Sequence, residues 1–217
     1  KGQEIACGLD GPREAVTEPI RIFIGLRDGE RNRSYEEMAE AALHEMDRTN
    51  AWERAHIAVM SSAGTGWIND FHTSGFEFVA RGNCAVVAMQ YSYVPSLYSY
   101  LADRESAVQS SRLLINAIRK RIAALDTPNP PKLYVGGESL GAYGVADAFQ
   151  DPGDFLARTS GGVFTGAPGF CSTHTMLTRR REPGSPQRLP VVDGGRHFRF
   201  IAHPDHLEHD FAGKPYD

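Results

Sequence analysis

Cysteine is scarce in this 217-residue chain: Cys7, Cys84 and Cys171 are an odd three with no close spacing. That excludes a disulfide framework and a CxxC metal site. A basic excess is also missing. The formal net charge is −4, so the electrostatic footprint of a nucleic-acid binder is absent, and nucleic acid is not an expected partner. No apolar run approaches the ~18–20 residues that span a bilayer, which predicts a segment soluble by itself. The chain opens on Lys1 rather than Met and carries no signal-peptide pattern. Internal repeats and low-complexity tracts are lacking too. Charged residues make up 23% and the apolar set 41%, so disorder is not the reading and a globular domain is. At the usual ~100–200 residues per domain, the length predicts one domain.

What is present is an alternation of short apolar runs with helical patterns. Residues 1–19 are polar and patternless, a lead-in or linker, and the domain is expected over 20–217. Strands are predicted at Ile20–Gly25 (IRIFIG), His56–Met60 (HIAVM), Cys84–Met89 (CAVVAM) and Lys132–Gly136, with further ones at Val163–Phe164 and Phe198–Ala202. Ser34-Tyr35-Glu36-Glu37 is a capping box that opens a helix over about 34–48. Helices are also expected near 68–80, over 104–125 (a stripe from Val108 to Leu125, stopped by Asn129-Pro130-Pro131) and over 139–149. Buried strands alternating with helices indicate βαβ crossovers: an α/β fold, with a mostly parallel sheet and helices on both faces. The stretch 171–196 reads as a surface excursion, and its Arg179-Arg180-Arg181 as a solvated face.

Chemistry concentrates at Gly137-Glu138-Ser139-Leu140-Gly141. The pattern G-x-S-x-G is weak alone, but here an apolar strand runs into it and a small-residue helix runs out. That context predicts a nucleophile elbow, a sharp turn that lifts the serine hydroxyl above the carboxyl ends of the strands. Glycines two residues to either side let the backbones approach that closely. The helix N-terminus behind the serine aims amide donors at the same spot.

Acyl transfer also needs an oxyanion hole. One donor is the amide of Leu140, and the other belongs to the loop after an earlier strand. Counting strands back leads to the loop Ser61 to Trp67, where Gly64 and Thr65 are the candidate donors. Tyr91 and Tyr93, with Trp67, are candidates to line a substrate pocket. The Tyr-rich stretch from Tyr91 to Leu101 reads equally well as half-buried core.

A serine nucleophile requires a base and an orienting acid, usually in chain order Ser, Asp/Glu, His. After Ser139 the densest stretch is His203-Pro204-Asp205-His206-Leu207-Glu208-His209-Asp210, which makes Asp205 the candidate acid. His206 and His209 lie too close in sequence to Asp205 for that arrangement. The same residues offer metal ligands without a defined spacing, so a surface loop is the reading, with no metal and no cofactor. His44, His56 and His72 precede the nucleophile and read as helix-surface or strand-start residues.

The segments Glu18 to Leu26 (EPIRIFIGL), Gly64-Thr65-Gly66-Trp67, Val87 to Tyr93 (VAMQYSY) and the elbow together resemble a bacterial α/β-hydrolase family. Its members carry this domain behind an N-terminal multi-span membrane region. Pro183-Gly184-Ser185-Pro186, Leu189-Pro190-Val191 and Asp193-Gly194-Gly195-Arg196 with Phe198-Arg199-Phe200 are similar to its pattern as well. The resemblance runs over about 18–202. It implies an α/β-hydrolase fold, serine-hydrolase activity with an unsettled natural substrate, Ser139 as nucleophile, and a whole protein tethered to a membrane. The leading expectation is a serine hydrolase acting on an ester, thioester or amide of a small-molecule or lipid-like substrate. In that family a further strand leads to a loop with an Asp-Pro, and a His lies downstream, as acid and base. This sequence stops at Asp217, so the sheet is expected to lack its C-terminal strand, and neither residue is carried over. The rival expectation is a non-catalytic binding or regulatory module that keeps the elbow without a working base.

Overall fold

Short runs of Ile, Val and Ala that are apolar on both sides bury best in the middle of a parallel sheet. The computed structural model, which describes residues 17–64, 66–93 and 104–216, places them there. Of the lead-in expected over 1–19, residues 1–16 lie outside the described residues; the Thr17 amide donates to the Arg81 carbonyl at 3.3 Å. Strands β1 (Ile20–Ile24), β4 (His56–Ser61), β5 (Cys84–Met89), β6 (Lys132–Glu138) and β7 (Gly161–Thr165) form one parallel sheet ordered β1-β5-β4-β6-β7. Between the first two of these, β2 (Arg27–Asp28) and β3 (Arg31–Asn32) make a small antiparallel ribbon.

Helices cover the sheet on both faces because strand side chains alternate. On one face lie α1 (Tyr35–Arg48), α3 (Glu105–Ala123) and α4 (Leu140–Ala146). Met38, Met46, Leu114, Ile115 and Ile118 are buried there with Ile57, Val59, Val87 and Val135. Each fully buried large side chain in this layer contributes about 1.5–3 kcal/mol. The capping box expected for α1 forms: Ser34 Oγ accepts from the Glu37 amide at 3.1 Å, and Glu37 Oε2 accepts from the Ser34 amide at 2.8 Å. The other face carries α2 (Asp70–Val79), with Ile68 and Phe76 packed on Ala58, Met60, Val86 and Tyr134. A further helix, α5 (Pro152–Arg158), sets Phe155 edge-on to Phe149 and Phe164.

The chain divides into two compact units, the break falling between Pro168 and Gly169. The second unit holds α6 (Ser172–Arg179), so the stretch expected to be a surface excursion contains a helix with Thr173, Leu177 and Thr178 buried. Arg179, Arg180 and Arg181 are exposed. The strand expected at Phe198–Ala202 does not form. Phe198 makes one isolated bridge to Val192, and Ile201 is 52% exposed. Arg199 interrupts the apolar run, and the Ala202 amide turns to His206 Nδ1 at 3.2 Å instead of to a neighbouring strand.

Candidate functional site

The connections out of β4 and β6, adjacent in the sheet, leave in opposite directions. After β4 the chain passes to α2 on one face; after β6 it passes to α4 on the other. Such a reversal opens a crevice at the carboxyl ends of the strands, where α/β sheets bind ligands. Ser139 stands there.

Its backbone is the sharpest feature of the site. Ser139 has φ 55° and ψ −121°, a conformation that costs a non-glycine residue about 1–3 kcal/mol. The turn is held by the Ser139 amide donating to the Thr165 carbonyl at 2.9 Å and the Tyr143 amide donating to the Ser139 carbonyl at 3.1 Å. The glycines are required sterically. A Cβ on Gly137 would lie 2.5 Å from the carbonyl carbon of Gly141, and one on Gly141 would overlap the Ser61 carbonyl oxygen. Ser139 is exposed, and its hydroxyl has no hydrogen-bond partner among the described residues. Leu140 is the first residue of α4, so its amide has no acceptor within the helix.

The close contact of Gly141 with Ser61 and Ser62 sets the elbow against the loop after β4. In that loop the Ala63 amide donates to the Trp67 carbonyl at 2.8 Å, and the Gly66 amide to the Ala63 carbonyl at 2.9 Å. Both donors are thereby engaged inside the loop. Gly64 is buried within this turn, and Thr65 lies outside the described residues. Gly66 has φ +83° and presses on the Gln90 side chain, so the loop seats on the end of β5 as well.

Two side chains of α2 reach the elbow. Asn69 caps α2 by accepting the Phe71 amide at 2.9 Å, and its Nδ2 donates to Glu138 Oε2 at 2.5 Å. One turn along, His72 Nε2 lies 3.1 Å from Thr165 Oγ1. Burial pushes the His72 pKa down, against the opposing pull of the Glu138 carboxylate. His72 lies on α2, half-buried and in contact with Thr165, while His44 is on the surface of α1 and His56 starts β4, in line with the helix-surface and strand-start positions expected of the three. Asn69, His72, Glu138 and Thr165 escape a reading of the sequence. Only the Asn-Asp step before α2 signals a cap.

The remaining candidates scatter. Tyr91 is buried at 2% exposure and Tyr93 is 58% exposed. Both line a cavity of about 510 Å³ with Leu26, Arg33 and Tyr35, at the carboxyl ends of β1 and β5. Trp67 is 73% exposed and, like Ser139, does not line it. The rest of the Tyr-rich stretch, from residue 94 to 101, lies outside the described residues. Asp205, in the second unit, sits on a 3-10 turn (Pro204–Leu207) with its carboxylate 3.2 Å from His203 Nδ1; both are exposed. Among the described residues no group of three or more His, Cys, Asp or Glu is placed to hold a metal ion.

The model of one family, described as the alpha/beta-hydrolase family, matches residues 20–216. No curated protein and no solved structure matches the chain significantly. Parallel sheet, elbow and family match agree across nearly the whole sequence. The chain belongs to the alpha/beta-hydrolase family.

Proposed function

We propose that this chain is a serine hydrolase acting on esters, thioesters or amides of small or lipid-like molecules. One observation carries the reading: a serine, not a glycine, occupies the strained turn between β6 and α4 and stands exposed in the crevice. Strain of that kind persists where the surrounding structure enforces it, and it gathers at functional sites. Ser139 Oγ adds to the substrate carbonyl carbon as its proton leaves to a base. The amides of Leu140 and Gly64, with Thr65 as the alternative donor, hold the oxyanion. Collapse expels the alcohol, thiol or amine with a proton, and water cleaves the acyl-serine. Among the described residues no helix is long and apolar enough to cross a membrane.

A fluorophosphonate probe tests the reading. Labelling at Ser139 that S139A abolishes is the expected result; a protein that stays unlabelled at micromolar probe overturns it. A second reading, a binding module without a working base, has its own support. No histidine is hydrogen-bonded to the Ser139 hydroxyl among the described residues, and His72 is turned to Thr165.

A further inference from the structure

A strained nucleophile needs its neighbours held, and the residues flanking Ser139 are gripped by one element. Glu138 precedes it on β6, and Thr165 is the register partner of Glu138 on β7. The first turn of α2 bonds to both: Asn69 Nδ2 donates to Glu138 Oε2 at 2.5 Å, and His72 Nε2 meets Thr165 Oγ1 at 3.1 Å. The Thr165 carbonyl accepts the Ser139 amide at 2.9 Å. A ring therefore closes from α2 through Glu138, Ser139 and Thr165 back to α2. Asn69 is also the N-cap of α2 and ends the loop that starts after β4, so the ring ties that loop to the elbow.

We propose that the first turn of α2 is a clamp that sets the pose of Ser139, with Asn69 and His72 as positioning residues acting through Glu138 and Thr165. The proposal rests on the reading of Ser139 as a nucleophile. Its physical content is donor polarity. The Asn69 side chain spends its oxygen on the cap and its NH₂ on a carboxylate. Asn69→Asp keeps the cap but faces Glu138 with a second carboxylate. Glu138→Gln in the same chain restores a donor, now from the opposite side.

The experiment uses the full chain and measures two quantities: the fluorophosphonate labelling rate at Ser139, and hydrogen exchange of the amides at 137–143. N69D is expected to slow labelling about ten-fold and to speed exchange at those amides, since the lost bond involves a charged group. E138Q alone leaves an acceptor for Asn69, so it should change labelling by no more than about three-fold. The exchanged pair N69D/E138Q should recover to the rate of E138Q. A merely structural cap would predict no effect of N69D and no rescue, and that pattern overturns the clamp. Thr165→Val, which removes only the partner of His72, should slow labelling by about three-fold and is the second variant if N69D does not fold. If the wild-type chain takes no probe, the nucleophile reading has failed. The exchange measurement then decides the clamp: equal exchange at 137–143 in wild type and N69D overturns it.

Discussion

At the nucleophile position the conflict between side chain and backbone is measurable. Ser139 holds φ 55° and ψ −121°, where glycine is the unstrained choice. Ser139→Gly should therefore stabilise the fold by about 0.5–2 kcal/mol, the strain relieved less the extra backbone entropy lost. Ser139→Ala keeps the strain and should leave stability unchanged. Urea midpoints read the difference, and equal midpoints for the two variants would count against strain at this turn. Gly141 faces the opposite constraint. Gly141→Ala drives a methyl into the Ser61 carbonyl, a backbone atom that cannot rotate away, and should cost about 1–3 kcal/mol. Both glycines of the motif were legible in sequence, because the rule behind them is local sterics.

Among the elements, α2 carries most of what sequence could not supply. Its Glu77 is fully buried, and Arg21 of β1 grips it with two bonds of 2.5 and 2.6 Å. The Glu77 partnership raises the Arg21 pKa further. Glu77→Ala leaves that guanidinium without its partner. The loss should fall at the low end of about 3–5 kcal/mol, because the Arg21 side chain is 42% exposed and water takes up part of the charge. Replacing both, as R21M/E77L, should recover most of it, and a double-mutant cycle by urea unfolding measures the coupling. Nothing in the pattern of 68–80 marks Glu77 as buried, since a lone carboxylate between Phe76 and Phe78 reads as solvent-facing. Only the parallel pairing of β1 with β5 brings Arg21 to it.

For the whole molecule the titrating groups define a stability plateau. Burial lowers the pKa of His56 and His72. Below the ordinary value of 6.5 the unfolded chain then binds more protons than the folded one, so stability falls as pH drops through that window. Glu37 works in the same direction at lower pH. Held by Arg31 and the Ser34 amide, it is depressed from 4.5 to about 2, and its contribution is lost as pH falls across that interval. On the alkaline side burial pushes the Cys84 thiol from 9.0 up to about 12, so the folded chain keeps a proton the unfolded chain releases. Stability should therefore be flat between about pH 6.5 and 9 and decline on both sides, as urea midpoints across pH 4–10 will show. The same burial predicts that Cys84 resists alkylation until the protein is unfolded.

By itself the amino-acid order determined the five strands of the sheet, helices α1 to α4 and the elbow. Apolar runs, a capping box and G-x-S-x-G after a strand are written in periods and steric rules that act over a few residues. It misplaced a strand at Phe198–Ala202, because an apolar run becomes a strand only when a neighbour accepts its hydrogen bonds, and it left the short helices α5 and α6 unread. Tertiary structure alone decided the strand order, the opposite exits of β4 and β6, and the company Ser139 keeps. Asn69 with Glu138 and His72 with Thr165 are 69 and 93 residues apart in sequence. No local pattern encodes such pairs, since they exist only once parallel strands have been set side by side in register.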